Sequence, residues 1–491
     1  MSGARRAPHT PQLATVTLAL TATVAVTALS GCDAPYQQFL GVIPTNEANP
    51  DAPVEVFLGI DGVSKQAFEL ARARGAFAEY NVADLVTAFP GTSDYCWTRT
   101  LRADALGGYE LQYFDPRENA MQKEGIAGVA AHPIEKGLVE TLSVYQRFDF
   151  LGDGETWMLD SYLDPTAALR PTLDQMFDTI AGRGRTKSHL LAYLLNVDVV
   201  SHLGGLDPAV ATLVEIDRRI RAFKADHRRP YHFTIFSDHG NAHLRSRLVD
   251  PKQILTDVGV RAVDALTTPV FTLTTPIGDT AGGDSPPLEA VPVVHVRVNY
   301  VAVHADRRHV PEIAARTSRH GDVDLAVARL ADATDGAQRF GVWRHGTPFT
   351  FSRDVAGLIV VDQPDSWDWL QLDFGAWRSA DGATATLADR AAFEATRGGP
   401  YPDIFYRVAT AFTNPAAQFP ADILLSMPDD ATSFGFTIPG VVVDVHAVDG
   451  FHGALSRAST LSIVASDSHP LPSAVRSDDL ADLFPVLGGE R

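Results

Sequence analysis

The chain has 491 residues, room for one large α/β domain with insertions or for two to three domains. Hydrophobic residues make up 45% and charged residues 21%, the balance of an ordinary soluble globular protein. A net charge of −19 argues against a nucleic-acid binder, which needs a basic surface.

In chain order, residues 1–32 read as an export signal rather than as fold. Arg5 and Arg6 form a short basic region, LATVTLALTATVAVTALSG is apolar, and Leu29-Ser30-Gly31-Cys32 resembles the bacterial lipobox. The apolar run falls short of the roughly 20 strongly apolar residues of a spanning helix. An exported lipoprotein is therefore expected, acylated at Cys32 and held by its lipid to a bacterial membrane, at the periplasm or cell surface. The other cysteine, Cys96, is then left without a partner, so no internal disulfide is expected and stability must come from core burial. Residues 33–51 are polar with Pro and Asn and read as a tether.

Residues 52–250 alternate strand-like and helix-like runs, the pattern of βαβ units. VEVFLGID is followed by SKQAFELARARG, and PTLDQMFDTIAGRGR, LLAYLLNVD, AVATLVEIDRRIRAFKAD and YHFTIFSD come later. The stretch from about Asn119 to Asp164 interrupts the alternation and reads as a lid. Residues 251–436 read as an inserted α+β region: strands in VPVVHVRVNYVAVHA, a helix in VPEIAARTSRHG, a hairpin in RFGVWRHGTPFTFSRD and a loop in GDTAGGDSPPLEAVP. GVVVDVHAVDGFHGAL then returns to the core, which runs over 437–491. The expected class is α/β, a doubly wound, mainly parallel sheet flanked by helices, with the α+β insertion.

Three apolar runs finish in metal-binding residues: VEVFLGID at Asp61, LLAYLLNVDVVSH at Asp198 and His202, and YHFTIFSDHG at Asp238 and His239. Ligands bind at the edge where parallel strands end. Singly, each is ordinary. A strand-end Asp-Gly is common in turns, Asp198 could be a cap, and a His-Gly at His452 means little. Asp198 and His202 share a face if their segment is helical, and a buried Asp after an apolar run calls for a cation. With His452, six ligands suit two hard or borderline divalent ions. The hydroxyl-bearing turn FPGTSDYCWT lies between the first two ligand runs. Together these residues suggest a two-metal hydrolase with a Ser or Thr nucleophile.

The joint order, Asp, Ser/Thr turn, Asp-x-x-x-His, Asp-His-Gly, His-Gly, resembles the alkaline phosphatase superfamily over about 52–250 and 437–465. The resemblance implies that Asp61, Asp238 and His239 hold one ion together with the nucleophile oxygen, and that Asp198, His202 and His452 hold the other. It implies zinc for an exported member. Phe89-Pro90-Gly91-Thr92-Ser93, with Trp97 and Thr98 beyond, is similar to the family's nucleophile turn. That register selects Ser93, then Thr92, then Thr87, with Ser93 at the start of the helix DYCWTRTLRA, where it could also serve as N-cap.

The family's Thr-Gly and Asn beyond the nucleophile are not in register here. Arg99, Arg102, Arg117 and Asn119 are the candidates for contact with a phosphoryl oxygen, each otherwise an ordinary surface residue. No Cys/Ser-x-Pro-x-Arg run supports a sulfatase. The implied activity is hydrolysis of a small-molecule phosphate ester, without nucleic acid or protein partner. A phosphodiesterase or nucleotide pyrophosphatase is the alternative among enzymes, and an inactive binding lipoprotein of the same fold is the alternative outside them.

Overall fold

The computed structural model describes residues 52–123, 142–151, 164–267, 287–295, 297–331, 336–433 and 449–489. The expected leader with Cys32, the tether, much of the 119–164 stretch, most of the GDTAGGDSPP loop and the GVVVDVHAV run lie outside them. Among the described residues no helix is long and apolar enough to cross a membrane.

The first half opens with β1 (Val54–Ile60), α1 (Lys65–Ala73), β2 (Asn81–Val86) and α2 (Ser93–Thr100). A small hairpin of β3 (Gln112–Asp115) and β4 (Ala120–Lys123) follows, then α3 (Pro165–Arg183), β5 (His189–Leu194), α4 (Asn196–Gly204), α5 (Leu206–Asp226) and β6 (Tyr231–Phe236). The run LLAYLLNVDVVSH is thus not one strand. It pairs with β1 only as far as Leu194 and turns helical at Asn196, so its two ligands sit on a helical turn.

After β7 (Arg247–Val249) and α6 (Pro251–Asp257) come β8 (Arg261–Ala262), β9 (Glu289–Val293), β10 (Tyr300–Ala305), α7 (Val310–Thr317) and β11 (Leu325–Arg329). β12 (Gln338–Arg344), β13 (Thr347–Arg353), β14 (Ile359–Asp362), β15 (Thr384–Leu387), α8 (Asp389–Thr396) and α9 (Ile404–Thr413) follow. The chain closes with β16 (Ile423–Ser426), β17 (Ala431–Ser433), α10 (Arg457–Thr460), β18 (Leu461–Ser466), β19 (Ala474–Arg476) and α11 (Leu480–Leu483).

Six strands form the first sheet, in the order β19-β2-β18-β6-β1-β5. All run parallel except β18, which is antiparallel to both neighbours. Strand periodicity sorts the side chains. Val54, Val56, Leu58 and Ile60 pack with Ala67 and Phe68 of α1, Leu173 and Met176 of α3, and Leu213 and Ile216 of α5. Phe57, Leu191 and Tyr193 face the other way, onto Trp97 of α2, Phe148 and Leu480 of α11. Helices therefore cover both faces, as a mainly parallel sheet requires.

The second sheet holds nine strands, β15-β14-β13-β12-β11-β16-β10-β9-β8, antiparallel apart from the β8–β9 pair. Its hairpin β12–β13 turns through His345 and Gly346, both at positive φ, as a two-residue hairpin turn demands. One face packs on Ile254 of α6 and Ile313 of α7, the other on Ile404, Phe405 and Val408 of α9. That second apolar layer also takes in Ala88, Phe89, Tyr95 and Cys96 from the turn and helix around Ser93. β7 and β17 pair in parallel, so the chain enters and leaves the second sheet side by side.

Candidate metal centre and nucleophile

Because β1, β5 and β6 are parallel neighbours, their C-terminal ends share one edge of the sheet. Asp61 follows β1, Asp198 and His202 ride on α4 just after β5, and Asp238 and His239 follow β6. His452 comes from the loop before α10, and Ser93 is the first residue of α2. All six candidate ligands are buried, with Asp61, Asp238 and His239 at 0% exposure. Asp61, Asp238 and His239 bring one ligand atom each to within 4.8 Å of one another, and so do Asp198, His239 and His452. The two groups share His239. His202 joins through Asp198, its Nε2 lying 3.1 Å from Oδ2.

The Ser93 hydroxyl reaches this cluster, 3.3 Å from Asp61 Oδ1 and 3.2 Å from His239 Nε2. The helix N-cap is Thr92, not Ser93, so no capping duty holds the Ser93 oxygen. Thr92 is buried and donates its hydroxyl to the Tyr109 carbonyl (2.8 Å), away from a capping role. Thr87 likewise donates to the Thr460 carbonyl (2.9 Å).

Each imidazole is aimed by a backbone carbonyl. Nδ1–H of His202 donates to Gly450 (2.5 Å), that of His239 to Gly240 (2.9 Å) and that of His452 to Gly91 (2.6 Å). All three rings therefore offer Nε2 inward, the outer support that ligating histidines require. The His239 and His452 rings stack, centroids 3.5 Å apart. Tyr193 donates its phenol to Asp61 Oδ2, and the Gly62 amide donates to Asp238 Oδ1 (3.2 Å). Gly62 has φ +67°, and a Cβ there would lie 2.5 Å from Asp198 Oδ1. The close approach of β1 to α4 thus depends on glycine.

Two carboxylate oxygens, Asp198 Oδ1 and Asp238 Oδ2, are buried without a hydrogen-bond partner among the described residues. Such orphans are costly. Burial and then the Asp61 charge push Asp238 up to about 8. Burial works against the charged form of His239, yet Asp238 and Asp61 drive it up to about 10. Burial and the nearby His239 hold His452 well below the ordinary imidazole range. Asp198 is held below the usual carboxylate range by His202 and His452, against the effect of burial. Three carboxylates and three imidazoles clustered in a buried site, with two oxygens unspent, form Asp/His groups that could hold a metal ion.

The side chains expected at the phosphoryl oxygens go elsewhere. Arg99 is buried and binds Asp478, Thr410 and Tyr95. Arg102 pairs with Asp482, Arg117 lies over the Phe419 ring, and Asn119 bonds the Leu266 backbone in both directions. Residues the sequence did not single out do contribute. Tyr193 orients Asp61, and Asn299, buried before β10, donates its backbone N–H to the His452 carbonyl (2.9 Å) while its Oδ1 accepts from the Ala454 N–H (2.6 Å). A polar residue at the head of a strand run, VNYVAVHA, was the available signal for Asn299.

No family profile and no curated protein matches the chain. Among solved structures it is similar to murine and human ectonucleotide pyrophosphatase / phosphodiesterase 5. The identities are 10% and 11% and the TM-scores 0.41 and 0.42, over 89% of this chain and 95% of each of those. Phosphonoacetate hydrolase from Sinorhizobium meliloti 1021 aligns at 12% identity and TM-score 0.40, over 88% of this chain and 94% of that one.

Proposed function

We propose that the chain is an exported, lipid-anchored, metal-dependent hydrolase of phosphate esters of the alkaline phosphatase type. In this reading Ser93 is the nucleophile, two ions, most simply zinc, sit among the six ligands, and Cys32 is the acylated residue. The observation that carries it is the Ser93 hydroxyl, 3.3 Å from Asp61 and 3.2 Å from His239 at the shared strand edge.

Bound ions would supply the charge that makes the Ser93 proton easier to lose and steadies developing negative charge. The chain supplies position. Tyr193 fixes Asp61 by one oxygen so that the other faces Ser93. α2 points its N-terminus at the reacting centre, where helix amides favour an anion. The Ser93 oxygen gives its proton to water and attacks phosphorus. The bond from phosphorus to the leaving oxygen breaks, that oxygen takes a proton from water, and a water molecule then cleaves the seryl phosphate ester.

A diester preference has its own support. Arg99, Arg102 and Arg117 are spent on other partners, so the second negative charge of a monoester meets none of them. Hydrolysis of p-nitrophenyl phosphate and bis-p-nitrophenyl phosphate by the zinc-loaded mature protein is the test. Ser93→Ala is expected to lower kcat/KM by a factor on the order of 10^4 or more. Turnover that survives in Ser93→Ala removes the nucleophile assignment. No turnover and no bound metal in the unmutated protein removes the enzyme reading.

A further inference from the structure

The guanidinium of Arg407 lies inside the protein, 2% exposed, on the helix α9 that lines the second sheet. Among the described residues no carboxylate is hydrogen-bonded to it. Asp403, whose charge it feels, is bonded to Arg476 at 2.6 and 3.0 Å. Instead Arg407 donates to backbone carbonyls of three segments. Nη1 reaches Leu455 (3.0 Å) and Pro402 (3.3 Å), and Nη2 reaches Ala88 (3.4 Å) and Ala454 (3.4 Å). The Phe89 ring lies 5.8 Å from its central carbon.

Two of those segments matter. Ala88 begins the turn that delivers Ser93, and Ala454 and Leu455 end the loop that delivers His452. The same two segments are stitched to each other directly. Gly91 N–H donates to the Gly453 carbonyl (3.2 Å), and His452 Nδ1–H donates to the Gly91 carbonyl (2.6 Å). Gly453, at φ +117°, has no room for a side chain beside Tyr300. A single cation placed behind both segments, bonded to carbonyls of each, holds them in one spacing.

We propose that Arg407 is a positioning residue of the metal centre: it fixes the turn bearing Ser93 against the loop bearing His452, and so sets the affinity for the ion that His452 helps hold. This rests on the metal-centre reading above. Arginine is required because its planar fork donates to two segments at once, whereas lysine offers one compact charge on a flexible stem.

The test is zinc binding to the full mature chain by calorimetry with chelator competition. The unmutated protein is expected to take two ions. Arg407→Lys is expected to weaken one of them by about ten- to a hundredfold, the usual effect of losing outer support, and to leave the other unchanged. Arg476→Lys removes a buried guanidinium from Asp403 and Asp389 instead of from these loops, and should change neither. Unaltered binding in Arg407→Lys, or an equal loss in Arg476→Lys, overturns the proposal. An unmutated chain that binds no zinc overturns the functional reading instead.

If Arg407→Lys fails to fold, hydrogen exchange on the metal-free unmutated protein decides. The Gly91 and Ala454 amides should stay as protected as the backbone of α9, because the two loops that Arg407 bridges are then held together without the ion. Fast exchange at both, with α9 intact, overturns the proposal.

Discussion

Asp61 divides its two oxygens between different tasks. Oδ2 accepts the Tyr193 phenol and Oδ1 faces Ser93 and His239. Removing the phenol leaves a buried carboxylate oxygen unpaired, a cost of about 1–3 kcal/mol, and frees the carboxylate to rotate. Tyr193→Phe is therefore expected to keep the fold and weaken metal affinity about ten- to a hundredfold. Zinc affinity equal to that of the unmutated chain would show that Tyr193 does not orient Asp61. The candidate ligands other than His452 could be picked out because each acid or imidazole stands where an apolar run stops. Tyr193 was not, since within LLAYLL it reads as one more strand residue, and only the register shows that it faces α2. The carbonyls of Gly91, Gly240 and Gly450 that aim the histidines belong to the backbone, and no residue type announces them.

Elements differ in how far their own residues specify them. The β12–β13 hairpin was readable from alternating strands around His345-Gly346, and α7 from its apolar spacing. The place of β16 was not. ADILLS is too short to show a period, and its position between β10 and β11 follows from pairing with distant segments. Its leading residue carries a testable charge. Asp422 accepts the Ala305 amide (3.0 Å), and burial pushes it up to about 6. His304, with Nδ1 3.8 Å away, is lowered to about 3 by burial and stays neutral at pH 7. The counter-charge is Arg307, whose Nε lies 4.0 Å from Asp422 and only partly offsets burial.

An unfolded Asp titrates near 3.9. Between that value and about 6 the folded protein binds the proton more tightly, so stability falls as pH rises through the window and stays lower above it. Asp422→Asn should raise stability at pH 7.5 by up to about 3 kcal/mol and by no more than about 0.5 kcal/mol at pH 4. Equal urea midpoints for the two proteins at pH 7.5 would refute the buried-charge account.

At the scale of the whole molecule, the centre is assembled from both sheets. The first sheet supplies the strand ends. The second lends the face that backs the Ser93 turn and, through Asn299 and Arg407, the clamps on the His452 loop. The α/β class was legible as composition and rhythm, but not that the second sheet would brace the site, because such contacts cross the chain. The exported reading makes its own prediction. Cys32→Ser should abolish labelling by a radioactive fatty acid and move the protein from the membrane fraction to the soluble one. Labelling that persists would refute acylation at Cys32.

Three residues beyond Ser93, Cys96 is fully buried in α2, and burial raises its thiol well above the ordinary range. A thiol kept protonated and out of reach neither oxidises nor exchanges with disulfides. If Cys32 is taken up by lipid, Cys96 is the sole thiol of the mature chain. It then serves as a silent reporter: a reagent that modifies it has caught the molecule with the helix of Ser93 lifted off its packing, and the rate of modification counts those openings.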